Sequence, residues 1–372
     1  MKIIEIIPHL GSGGAERFCV DLSNELARMG HVVILCTLYP MDGELGFYKD
    51  DINKNVRTIS MNKGRGFSLK AIWRFLNVVR KEKPDIIHSH IGALQYALLP
   101  QLFCMKGFHT VHNEAHKETS SRLEFFIRRL FLRIGIITPI TISKESHESF
   151  ISFYHRKALL IPNGRSIENV RVSQIVLDEI NSYRQSLKDK VIVQVARFQP
   201  QKNIPMMARV AKQLSDEGYR FVLLFIGNTC EKTILDEVRK EMPSCAHILG
   251  ERKNPLEYLK ASGCFSLSSK YEGMPISLIE ALGVGAIPVC TPVGGIPNAV
   301  INGENGILSD DTSEEAFYKA LKRYLEMGEI DLEEMRKKVL LSYEPYSIKK
   351  CAQRYLEAFS ARSNTKSKTT CG

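Results

Sequence analysis

CFSLSSKYEGMPISLIEALGVGAIPVC, residues 264–290, is the stretch that decides the fold. Its opening run, 264–268, reads as a strand, and a loop containing Gly273 follows. Pro275 suits the first turn of a helix, where a backbone N–H would have no partner. Gly283 and Gly285 stop that helix, and 287–290 is a second short apolar run. Strands joined through a helix pair in parallel, so the unit predicts a parallel sheet.

The same alternation extends outward on both sides. Toward the N-terminus, strands are expected at 191–196, 221–226 and 247–249, and an earlier series at 2–8, 32–37, 85–88, 109–112, 139–143 and 159–162. A helix over 16–29 places Phe18, Leu22 and Leu26 on one face and ends at Gly30. The polar stretch 166–188 fits poorly into either series and is taken as a linker. The expected organisation is a first Rossmann-like domain over 1–165, a second over 189–342, and a segment 343–361 carrying a last helix at 346–359. Residues 362–372, rich in Ser, Thr and Lys, are expected to be disordered. Two doubly wound domains would bind ligands at the carboxyl ends of their strands, in the cleft between them.

Composition narrows the class. With 372 residues, 44% hydrophobic and 25% charged, the chain is neither disordered, nor fibrous, nor a disulfide scaffold. The net charge of +10 is uneven: residues 1–165 hold 23 basic against 15 acidic side chains, together with nine of the ten histidines. Such a basic half suits an anionic surface. Nine scattered cysteines without a CxxC pair point to a reduced, cytoplasmic chain. Glu5 interrupts what would be the apolar part of a secretory signal, so none is expected, and no run of 18 apolar residues exists to span a bilayer.

Two loops carry the chemistry. In the first, Glu272 and Glu280 lie eight residues apart, or about 12 Å of helical rise. That exceeds the roughly 5–9.5 Å between glycosidase carboxylates, so they read as anchors for separate parts of one ligand. A helix starting near Pro275 would also offer backbone N–H groups and its dipole to a phosphate. In the second, ARFQPQKN (196–203), Arg197 and Lys202 follow a strand's carboxyl end and could hold one diphosphate.

These two loops together resemble the retaining GT-B glycosyltransferases of family four. The resemblance runs on through GVGAIPV (283–289), Gly294-Gly295, ENGIL (304–308), GSGGAER (11–17), PDIIHSH (84–90), His112, Ser143-Lys144 and Pro162-Asn163-Gly164. It implies a GT-B fold with an interdomain cleft and a nucleotide-sugar donor. Arg197 and Lys202 would neutralise the departing diphosphate, Glu272 would contact the donor sugar or adjacent phosphate, and Glu280 would bind the ribose. Backbone at Gly273, Met274 and Pro275 would line the sugar–phosphate region, and the loop holding Gly13 and Gly14 would approach the phosphates. His112, following a strand, is the group expected nearest the transferred sugar. No metal or other cofactor is implied, in keeping with the lack of a DxD-type motif. Departures from the pattern are Ala196, Arg165-Ser166 and Asn298.

The expected activity is transfer of a hexose or N-acetylhexosamine, UDP-linked, to a glycan or lipid-linked acceptor in surface-polysaccharide assembly. A nucleotide-sugar epimerase or hydrolase of the same fold remains open, as does a non-enzymatic basic binding protein. A dinucleotide site is disfavoured, because Glu16 stands where Gly-x-Gly-x-x-Gly needs its third glycine. His88-x-His90 has no evident third metal ligand, and no nucleic-acid motif occurs. The basic amphipathic stretch 121–133 suits an anionic membrane, which predicts a peripheral location on the cytoplasmic face of the inner membrane.

Overall fold

The computed structural model describes residues 1–102, 106–113, 115–117, 121–168, 170–229 and 231–361. The tail expected at 362–372 lies outside them. The chain divides into two units: Met1–Ser166 with the chain from Tyr346 onward, and Ile167–Pro345.

Among the described residues the first unit holds seven strands, β1 (Lys2–Ile7), β2 (Val32–Thr37), β3 (Arg57–Ser60), β4 (Ile86–His90), β5 (Gly107–Val111), β6 (Ile137–Thr141) and β7 (Leu159–Leu160). They form one parallel sheet in the order β3-β2-β1-β4-β5-β6-β7. Ile3, Ile4, Ile6 and Ile7 of β1 are fully buried, as expected of a central strand covered on both faces. Strand order reverses between β1 and β4, the position where open α/β sheets leave a ligand crevice. The helix Ile348–Ala361 belongs to this unit and packs on the helix Gly14–Arg28. Its Tyr355 and Phe359 are fully buried, and Tyr355 Oη lies 2.8 Å from Thr110 Oγ1 of β5.

The second unit holds β8 (Lys190–Val195), β9 (Phe221–Ile226), β10 (Ala246–Gly250), β11 (Cys264–Leu267), β12 (Ile287–Cys290) and β13 (Ile307–Leu308). All pairs are parallel, in the order β10-β9-β8-β11-β12-β13, and the reversal falls between β8 and β11.

Three expectations are corrected. Strands β3 and β13 were not anticipated: both lie at sheet edges, β3 is half exposed and β13 has two residues, so neither shows a buried apolar run. The stretch 166–188 is no mere linker. It carries the helix Gln174–Tyr183, which buries Val176 and Ile180 and packs on the helix Pro255–Ser262 of the second unit. Finally, one arginine of the basic helix Arg122–Arg133 is not on its surface. Arg128 is buried and paired with Glu124 at 2.5 Å, whereas Leu123, Phe126 and Leu130 are 70%, 62% and 54% exposed. Arg122, Arg129 and Arg133 are exposed beside them.

Candidate active site

In the second unit the loops after β8 and β11 meet at the strand-order reversal. Lys202 follows β8, Glu272 follows β11, and Lys202 Nζ lies 2.5 Å from Glu272 Oε1. The same carboxylate oxygen accepts from Ser269 Oγ at 2.5 Å, and Oε2 accepts from Gln201 Nε2 at 3.2 Å. Backbone ties fix both loops: Lys270 N donates to Gln201 O (2.8 Å), and Ser268 Oγ donates to the carbonyls of Lys202 and Asn203 (3.1 and 3.2 Å). The lysine therefore arrives with its charge aimed by a carboxylate that Ser269 and Gln201 also hold.

Gly294 packs directly on this loop. Its φ is +55°, and a Cβ there would stand 2.1 Å from the Glu272 carbonyl oxygen. Only glycine meets both conditions. Gly295 N then donates to Gly273 O at 2.6 Å, so the Gly294-Gly295 pair braces Glu272 and Gly273.

The helix Ile276–Val284 begins one residue later than expected, with Pro275 as its N-cap and no side chain capping it. Glu272 thus lies in the loop, and the 12 Å rise does not describe its distance from Glu280, which is buried on the helix. Arg197, two residues past β8, is exposed. Among the described residues its side chain makes no hydrogen bond or ion pair.

In the first unit, Gly13 is the N-cap of the helix Gly14–Arg28, and a Cβ on it would stand 2.0 Å from Glu16 Oε2. The Glu16 carboxylate is folded over the helix start, where the dipole favours negative charge. His112, the residue after β5, is buried, and its Nε2 lies 3.1 Å from His90 Nδ1. His90 Nε2 in turn lies 2.8 Å from Glu5 Oε2, and His88 Nδ1 is also 2.8 Å from that oxygen. Sequence reasoning left His88-x-His90 without a partner; it is Glu5 of the neighbouring strand. Arg165, one departure from the family pattern, is buried and paired with Asp21 at 2.7 Å.

Among the described residues, Glu5, Cys19 and His90 are the one trio able to meet around an ion, their atoms lying within 4.8 Å of one another. Within the trio, Glu5 Oε2 and His90 Nε2 hydrogen-bond each other at 2.8 Å, while burial, reinforced by the Glu5 and Glu16 charges, pushes the Cys19 thiol well above its ordinary pKa.

Also missed at the sequence level were Ser269 and Gln201, which hold Glu272. The serine-rich strand end was visible there, but not its direction.

Two doubly wound parallel sheets, each with polar side chains gathered where strand order reverses, define a GT-B glycosyltransferase fold. The structure of Anabaena HepE in complex with UDP-glucose superposes with a TM-score of 0.80 at 17% identity, over 97% of this chain and all of that one. Residues 177–362 match the model of Glycosyl transferases group 1, and residues 12–169 match that of Glycosyltransferase Family 4. The chain belongs to the glycosyl transferases group 1 family and is an enzyme that transfers sugars. Relatives include the Erwinia amylovora amylovoran biosynthesis glycosyltransferase AmsD, 24% identical over 84% of this chain and 87% of its own. The Escherichia coli UDP-Gal:alpha-D-GlcNAc-diphosphoundecaprenol alpha-1,3-galactosyltransferase is 26% identical over 76% of this chain and 77% of its own.

Proposed function

We propose that this chain moves a hexose or N-acetylhexosamine from a UDP-sugar to a glycan or lipid-linked acceptor in surface-polysaccharide assembly. In this reading the transfer retains anomeric configuration, uses no metal, and takes place at the cytoplasmic face of a membrane. The observation that carries it is the Lys202–Glu272 pair at the β8/β11 reversal. The relatives' names support the donor and acceptor classes, one acting with UDP-Gal on a diphosphoundecaprenol-linked sugar and one belonging to amylovoran biosynthesis.

Breaking a sugar–diphosphate bond leaves negative charge on phosphate and positive charge on the sugar. Lys202, already oriented, meets that developing charge without reorganisation, and Arg197 adds a guanidinium fork. The N–H groups of Gly273 and Met274 and the uncapped helix start add further donors. Such groups act because they bind the departing diphosphate more strongly than the intact donor. Glu280 takes the ribose hydroxyls; Gly13 and Gly14 are assigned to the phosphates and His112 to the sugar.

No helix among the described residues is long and apolar enough to cross a membrane. For membrane contact the exposed apolar ridge of Arg122–Arg133, flanked by Arg122, Arg129 and Arg133, supplies the surface.

The test is transfer by the purified chain from a panel of UDP-sugars to a diphosphoundecaprenol-linked sugar. Lys202→Ala is expected to lower kcat by about 10²–10³-fold. Activity unchanged in that variant removes the site assignment, and release of free sugar or an epimer without acceptor removes the transferase reading.

A further inference from the structure

The basic excess of the first half has a single source. Residues 52–81 hold eight basic side chains and no acidic one, and the rest of 1–165 holds 15 of each. The segment runs through β3 and a loop into the helix Leu69–Glu82. At the turn into that helix three large apolar side chains stand in solvent: Phe67, Leu69 and Trp73 are 65%, 69% and 60% exposed. Arg65, Lys70 and Arg74 are exposed among them. The fold holds this arrangement in place. Arg74 Nη1 donates to the carbonyls of Met61 and Asn62 at 2.6 and 3.2 Å, and buried Lys63 donates to Tyr39 Oη at 2.7 Å. Ser68 Oγ caps the helix, accepting from Ala71 N at 3.2 Å, and the Phe67 ring rests against Tyr96 with centroids 5.6 Å apart. An apolar cluster kept in water by a pinned loop costs free energy that a bound surface would recover.

The core contacts tell which face of the sheet the cluster belongs to. Ala71, Phe75 and Val79 share one core with Ile4 and Ile6 of β1 and with Ala97 of the helix Leu94–Gln101. Leu94 and Leu98 of that helix pack in turn with Ile137 of β6 and with Phe131 and Leu132 of the helix Arg122–Arg133. The three helices therefore cover one face, which carries both Phe67, Leu69 and Trp73 and the exposed ridge of Leu123, Phe126 and Leu130. Their two acidic residues, Glu82 and Glu124, are each paired with an arginine, Arg57 and Arg128. The helix Leu69–Glu82 starts beyond the carboxyl end of β3, the end at which such sheets take ligands.

We propose that Phe67, Leu69 and Trp73, with Arg65, Lys70 and Arg74, dock an anionic lipid bilayer, as a second contact on the same face as the ridge of Arg122–Arg133. The aromatic rings settle at headgroup level, Leu69 reaches the acyl boundary, and the basic side chains meet anionic headgroups. A single-stranded nucleic acid would use the charge and the rings but leave Leu69 in water, so the bilayer is the occupant that fits all six. The inference rests on the chain working at a membrane.

Trp73 is the only tryptophan of the chain, so the fluorescence of the unaltered full-length protein reports on this patch. With vesicles of phosphatidylglycerol and phosphatidylcholine, its emission is expected to move to the blue and to be quenched by lipids brominated in the acyl chain. Vesicles of phosphatidylcholine alone, or raised salt, should weaken both effects. Phe67→Ser with Leu69→Ser is expected to keep the parent's melting temperature and to lower vesicle affinity by about tenfold or more. Flotation of the parent with Trp73 emission unmoved overturns the proposal and leaves membrane contact through Arg122–Arg133 standing. A parent that binds no vesicle overturns both. Trp73 emission that responds to poly(U) RNA but not to vesicles, or vesicle affinity untouched in the double variant, also overturns it.

Discussion

Glu272 accepts from Lys202, Ser269 and Gln201, and Gly294 packs on its carbonyl. Gly294→Ala combines a strained φ of +55° with a 2.1 Å collision, so the loop must shift. The backbone term alone is about 1–2 kcal/mol. We expect a lower melting temperature of the second unit together with reduced donor affinity, measured by calorimetry and by titration with the UDP-sugar. Ala at this position with unchanged affinity would mean the brace has no part in binding.

Glu5 makes a prediction about acid. Its folded-state pKa of about 2 lies below its ordinary 4.5, so the stability it contributes is present above pH 4.5 and lost as pH falls toward 2. The shift corresponds to something on the order of 3 kcal/mol. Denaturant melts from pH 5 to pH 2 are expected to fall less steeply for Glu5→Gln than for the parent. Equal slopes would show that Glu5 is not ionised in the fold.

Among elements, the helix Arg122–Arg133 separates two roles that its sequence confounds. Arg128 is spent on Glu124 inside the unit, so Arg128→Glu strikes the fold rather than any surface. Breaking such a buried pair costs about 3–5 kcal/mol. Phe126→Asp with Leu130→Asp alters only the exposed ridge. That double variant is expected to keep the parent's melting temperature and to lose flotation with phosphatidylglycerol-containing vesicles. Retained flotation would place the membrane contact elsewhere.

Elements also show what could be read beforehand. Strands β1, β2, β8, β9 and β12 were legible because burial on both faces demands an apolar run, which the sequence displays. Edge strands carry no such demand: β7 and β10 were still read from their apolar residues, whereas β3, with Arg57 and Thr58 exposed, and the two-residue β13 were not. Lys202 and Glu272 were legible through their motifs, but Ser269 and Gln201 were not, because loop paths choose their partners. Glu5 and His90 lie 85 residues apart. Only the pairing of β1 with β4 makes them neighbours, and strand order is not written in chain order.

At the scale of the whole molecule, two units imply two cooperative transitions. Phe359 is fully buried in the first unit, against Phe108 and His88. Phe359→Ala should cost about 3–5 kcal/mol. Calorimetry is expected to show this as a lowered transition for the first unit with the second unmoved; a uniform shift would mean the units melt as one.

The division at Ser166 and Tyr346 makes the first unit discontinuous: it is built from segments on both sides of the second. A ribosome delivers residues from the N-terminus, and domains tend to fold as they emerge. Here the seven-stranded sheet is synthesised long before Tyr355 and Phe359 exist to cover Phe18 and Phe108. The second unit, although encoded later, is the first able to finish. Nascent chains still lacking their last helix therefore carry an uncovered aromatic floor through the whole synthesis of the middle of the protein, and are the species a cellular chaperone should hold.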